Sequence, residues 1–118
     1  MDLKALDKAL QEIVDFRSEL EKLDYSNPKY DEMEENLHDL EDKFQVNYGE
    51  YMEGILQNVH DEYCPESDVL LPIAYLGEGV HVDLEKFPGS NVKLALESNP
   101  PRLFLKAKDK RQLVWEAK

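Results

Sequence analysis

One cysteine, Cys64, is all this chain of 118 residues contains. An internal disulfide is therefore impossible, and a lone thiol fits a reducing cytoplasm. No apolar run approaches the roughly 20 residues that a membrane-spanning helix needs. The longest, Val69–Leu76, is interrupted by Pro72. The opening Met1-Asp2-Leu3-Lys4 leads into no apolar core of the signal-peptide kind, so export is not expected. Glycine is scarce, at five residues, and neither GxGxxG nor GxxxxGK[ST] occurs. No phosphate-cradling loop is therefore expected. There is no GxSxG elbow, and no cation lies beside Cys64 in sequence to activate it. Positive charge is also short: 14 Lys and Arg against 26 Asp and Glu, a net of −12. That field disfavours nucleic acid and anionic membranes, so basic partners, or none, are expected.

What is present is unevenly distributed. Residues 1–65 hold eighteen acids and six bases, a net of −12, whereas residues 66–118 hold eight of each. The hydrophobic period changes at the same place. Leu3, Leu6, Leu10, Ile13, Phe16, Leu20 and Leu23 recur in steps of three and four, one stripe of an α-helix over 2–24. Ser26-Asn27-Pro28 supplies a turn, with Asn27 as expected N-cap and Pro28 at the first helical position. A second stripe runs from Tyr30 through Met33, Leu37, Leu40, Phe44, Tyr48, Tyr51, Ile55 and Val59 to Tyr63, and Pro65 ends it. Helix two is the longer. Gly49 and Gly54 mark a kink, a close packing point or a break, since each costs about 1 kcal/mol in a helix interior. Beyond them, residues 52–63 are expected to leave the hairpin and cover the sheet.

After Pro65 the pattern alternates. Val69–Leu76 reads as an edge or bulged strand and Gly77-Glu78-Gly79 as a hairpin turn. Val80, Val82 and Leu84 form a strand, Pro88-Gly89-Ser90-Asn91 a turn, and Val92, Leu94 and Leu96 a strand. Ser98-Asn99-Pro100-Pro101 turns into Leu103, Leu105 and Ala107, and Asp109-Lys110-Arg111 turns into Leu113–Ala117. The fold class is α+β: a long antiparallel helical hairpin, residues 1–64, followed by a four- to five-stranded antiparallel meander, residues 65–118, packed on the end of helix two. Short connections dictate the antiparallel order, and a sheet with one apolar face must be covered on that side. Val14, Val46 and Leu56 are apolar yet lie off the seam between the helices. Their burial in a four-helix bundle predicts a homodimer through the hairpins.

Two charged clusters stand out. Asp31, Glu32, Glu34, Glu35, Asp39, Glu41 and Asp42 form an acidic face with no base among them, either a docking surface for a basic partner or a solvated face. Residues 102–118 carry a net of +4, and Arg102, Lys106, Lys108, Lys110 and Arg111 form a basic patch. Phe104 and Trp115 are its stacking candidates should it meet nucleic acid. The patch could equally pair with the acidic run, or its lysines could protect a strand edge from pairing with other chains.

Metal chemistry has two weak footholds. Glu35 and His38 have Glu-x-x-His spacing but no second copy of the motif. His60 and Cys64 stand one turn apart as a two-ligand zinc clamp, yet zinc wants three or four ligands. The simpler roles are an exposed pair for the first, and for the second a buried Cys64 with His60 as a cation favoured at a helix C-terminus. No metal, cofactor or catalytic residue is assigned. The leading reading is a non-enzymatic interaction module, a small acidic adaptor or chaperone-like protein of the cytoplasm. The alternative is a sensor that holds a ligand or metal between helix two and the sheet.

Overall fold

The computed structural model describes residues 2–85, 91–108 and 110–117. Helix α1 spans Leu3–Glu21 and helix α2 spans Tyr30–Tyr63. Strands β1 (Val80–Val82), β2 (Val92–Glu97), β3 (Arg102–Lys106) and β4 (Arg111–Glu116) follow, hydrogen-bonded in the order β1-β2-β3-β4. Every neighbouring pair is antiparallel. The architecture is a helical hairpin followed by a four-stranded meander.

Helix α1 starts at Asp2, whose carboxylate accepts from the Lys4 and Ala5 N–H groups at 3.1 Å each. Those two donors would otherwise have no partner in the first turn. Its stripe buries Leu6, Leu10 and Ile13, each contributing about 1.5–3 kcal/mol on leaving water. Helix α2 begins two residues later than the Asn27-Pro28 signal suggests. The Asn27 side chain instead accepts from the Lys29 N–H at 2.9 Å, closing a turn ahead of the helix, and Lys29 occupies the cap position with no side-chain bond. Helix α2 then runs unbroken through both glycines. Gly49 is buried under the Gln45 side chain, while a Cβ at Gly54 would meet nothing.

The segment Val69–Leu76 is not a strand. Pro72–Tyr75 forms a 3-10 turn opened by Pro72, and only Leu76 reaches the sheet, through an isolated parallel bridge to Leu96. A short apolar run bounded by turn signals has no period of its own, and here Pro72 supplies the turn. Gly77-Glu78-Gly79 is consequently a turn but not a hairpin. Gly77 and Gly79 have φ of 81° and 90°. At Gly79 a Cβ would also lie 2.6 Å from the Leu94 carbonyl oxygen, so only glycine fits there. Strand β1 stops at Val82, short of Leu84. The expected turn at Pro88-Gly89-Ser90 lies outside the described residues, as does Asp109 of the last turn.

Sheet register places Leu94 opposite Leu105 and Leu96 opposite Leu103. These inward residues join Met52, Leu56 and Val59 of α2 and Tyr75 and Leu76 of the 3-10 turn in one buried cluster, which continues along α1. A bulge between Leu103 and Phe104 shifts β4, leaving Leu113 opposite Phe104 and Trp115 opposite Leu103. Helix α1 also touches the β2–β3 turn. Asp7 accepts from the Asn99 N–H at 2.6 Å, and the Ser98 hydroxyl donates to Gln11 at 3.0 Å.

Candidate functional site

The two long faces of the hairpin are treated differently. One meets the 3-10 turn. Arg17 on α1 donates to Glu41 on α2 at 2.6 Å and reaches the Ile73 carbonyl at 3.4 Å, tying three elements together. The other face is open. Phe16 and Leu40, both half-buried, line adjoining depressions of 370 and 340 Å³ between the helices. A third of 160 Å³ continues the groove past Ala9 and Phe44 to Tyr48. Glu12, Asp15, Glu19, Asp39 and Lys43 flank it, a net of −3.

Near the hairpin tip, Asp31, Glu32, Glu35, Asp39 and Asp42 are exposed, and Glu34 and Glu41 are half-buried. Among the described residues, Glu41 alone of the seven has a cationic partner, Arg17. The acidic face is therefore held out to solvent and not neutralised from within. Tyr25 and Tyr30 pack beside it with tilted rings whose centroids are 4.7 Å apart, Tyr25 being 83% exposed. Tyr25 was invisible to the periodicity because it belongs to the connecting turn. A hydrogen bond with Tyr25 pushes the Tyr30 phenol above its ordinary value.

The basic patch is spent locally. Lys106 reaches Glu97 at 2.8 Å, Arg102 at 3.5 Å, and Arg111 is bonded to the same carboxylate. Partial burial pushes the Glu97 carboxyl up, but the Lys106 and Arg111 hydrogen bonds and charges outweigh it and hold it below the usual carboxylate range. Arg111 and Arg102 also lie over the Phe104 ring, 3.9 and 5.3 Å from its centroid. The ring offered for base stacking is thus occupied by the chain's own guanidinium groups. Trp115 is half-buried against the core, and Lys108 and Lys110 are exposed, with no ion-pair partner among the described residues.

His60 is not a helix-end cation on the surface. It is buried, and every role its ring can play is filled. Nδ1 lies 2.7 Å from the Leu56 carbonyl, which can only accept, so Nδ1 carries the proton. Nε2 then accepts from the Tyr75 hydroxyl at 3.3 Å, and that hydroxyl accepts from the Leu70 N–H at 3.0 Å. Burial pushes the Tyr75 phenol up, partly opposed by the Leu70 bond. Cys64 is buried and free, its thiol pushed up by burial and then by Asp83. With both ring nitrogens engaged, His60 and Cys64 do not form a zinc clamp. Glu35 and His38 are exposed on α2, and no three His, Cys, Asp or Glu residues cluster to hold a metal among the described residues.

The seam between α2 and the sheet is filled by Met52, Leu56, Leu94, Leu96 and Leu103, none more than 1% exposed. A concavity of 700 Å³ lies elsewhere among the described residues, at the sheet corner lined by Leu84, Val92, Leu105, Lys108, Lys110 and Arg111. None of the helices described is long and apolar enough to cross a membrane. No protein-family model, curated protein or solved structure matches this chain.

Proposed function

We propose that this chain is a non-enzymatic protein–protein interaction module, a small acidic adaptor or chaperone-like protein whose helical hairpin docks a basic protein. The observation that carries this reading is the acidic run at the hairpin tip, six of whose seven carboxylates have no cationic partner among the described residues. The exposed Tyr25, packed against half-buried Tyr30 beside it, supports the same surface, because tyrosine buries large area at low entropic cost in interfaces. The free, buried Cys64 suits a reducing cytoplasm.

A homodimer through the hairpins is a further part of the reading, though its grounds are narrower than the sequence suggests. Leu56 is consumed inside the chain and Val14 is half-buried, leaving Val46, 84% exposed, as the spare apolar group. Two copies at −12 each also repel. A sensor reading is less well supported, since side chains fill the seam where its ligand would sit.

The test is binding of a labelled, unstructured lysine-rich peptide at low salt. Glu35→Gln/Asp39→Asn/Asp42→Asn should weaken it about tenfold, as three of the carboxylates that attract it are removed. Neutralising three exposed acids elsewhere, Glu50, Glu62 and Glu66, should change it far less. Equal losses from the two triple variants would show a diffuse field without a docking surface and sink the proposal.

A further inference from the structure

We infer that the open groove between α1 and α2, floored by Phe16 and Leu40, receives one basic amphipathic helix of a partner protein, completing a three-helix bundle. This rests on the interaction-module reading and assigns its partner class and its seat. The argument begins with what the fold leaves undone. One face of the hairpin is tied to the 3-10 turn by the Arg17–Glu41–Ile73 contacts. The opposite face has no covering element among the described residues, yet it carries a continuous apolar trough. Leu40 lines all three depressions, and Ala9, Phe16, Phe44 and Tyr48 extend the floor.

Shape sets the kind of occupant. From Ala9 to Glu19 the groove runs about 15 Å along α1, or about three helical turns. Two helices side by side offer a third helix a line of contacts at its i, i+3, i+4 and i+7 positions, the usual helix-in-groove mode. Charge sets the occupant's sign. The rim holds Glu12, Asp15, Glu19 and Asp39 against Lys43, so an apolar stripe bordered by Lys and Arg is complementary. A second hairpin of this chain would bring like charge to like charge, because residues 1–65 hold the entire −12. Charge complementarity therefore favours a basic helix over a second copy.

The test uses three synthetic peptides of about 14 residues, roughly the groove's length plus a turn. The first has Leu on one helical face and Lys on the other. The second keeps Leu and replaces Lys with Glu, and the third keeps Lys and replaces Leu with Ser. Binding is read by fluorescence anisotropy and by amide chemical shifts on the intact chain. The Leu/Lys peptide should bind best and move the amides of Phe16, Leu40, Lys43 and Asn47. Leu40→Gln should weaken it about tenfold, with Val46→Gln, on the exposed side of α2, leaving it unchanged. The shift footprint on the unaltered chain decides the matter should Leu40→Gln fail to fold.

Equal binding of the Leu/Lys and Ser/Lys peptides, with shifts at residues 31–35 and none at Phe16, Leu40, Lys43 or Asn47, would overturn the groove and leave the acidic docking surface standing. Failure of every cationic peptide to bind at low salt would overturn both. A doubled mass without peptide, with groove amides shifting on dilution, would hand the groove to a second copy and overturn the partner assigned here.

Discussion

Removing the Tyr75 hydroxyl tests the buried polar chain that locks the 3-10 turn onto α2. In Tyr75→Phe the ring stays and its packing is kept, but two hydrogen bonds vanish. The Leu70 N–H sits on a residue 43% exposed, so water can replace its partner at small cost. The Nε2 of His60 has no such relief, since the residue is 1% exposed and its other nitrogen is committed to Leu56. A buried acceptor left empty costs about 1–3 kcal/mol, and the lost Leu70 bond adds about 0.5. The expected loss is therefore about 1.5–3.5 kcal/mol, read as a lowered urea midpoint with an unchanged slope. The double variant His60→Leu/Tyr75→Phe supplies the control. With both partners apolar neither is orphaned, so its cost should fall short of the summed single costs by at least about 1 kcal/mol. Additive single effects, each below about 0.5 kcal/mol, would refute the His60–Tyr75 hydrogen bond.

Two further outcomes follow from the titrating groups. Glu97 has a lowered folded pKa, so its stabilisation is present above its unfolded value and is lost as pH falls through the lower folded value. Glu97→Gln should cost about 1–2 kcal/mol at neutral pH and flatten the acid limb of a stability-against-pH curve, whereas an unchanged limb would contradict the Lys106–Arg111 pairing. The raised Cys64 thiol has the opposite sense: its neutral form is favoured in the fold, and that contribution is lost as pH rises from the unfolded value through the higher folded one. Cys64 should react with a maleimide only as fast as the helix end opens, and urea should accelerate labelling steeply. Rapid labelling of the native chain would place the thiol at the surface.

The helices were legible because their apolar steps are long and periodic. Leu6, Leu10, Ile13, Leu37, Phe44 and Val59 are read directly from spacing and are buried. The same holds for β2 and β3, where alternation puts Leu94, Leu96, Leu103 and Leu105 on one face. Val69–Leu76 misled because an unbroken apolar run fits a strand, a turn or a core loop equally, and only tertiary contacts choose. The fate of the basic patch was hidden for a different reason. Its cations were visible, but the carboxylate that collects them lies on another strand, and only register sets Glu97 opposite Arg102. His60 likewise depends on Tyr75, fifteen residues away, for a bond no local rule supplies. The groove required knowing which face of the hairpin the 3-10 turn covers.

The division of charge then becomes a statement about purpose and stability together. The bases Arg102, Lys106 and Arg111 turn to Glu97 and Phe104, so they do not relieve the acids of residues 31–42. Within α2, Glu35 and Asp39 stand four apart as like charges, a spacing that costs a helix a few tenths of a kcal/mol. If these acids served the fold, Glu35→Gln/Asp39→Asn/Asp42→Asn would destabilise it. If they serve a partner, the same variant should be as stable as the parent or more stable by about 0.3–1 kcal/mol, while its affinity for a lysine-rich peptide falls about tenfold. Thermal unfolding and the binding assay on one preparation give both numbers. A variant losing more than about 1 kcal/mol would assign the acids to the structure, since charge relief alone cannot have that sign.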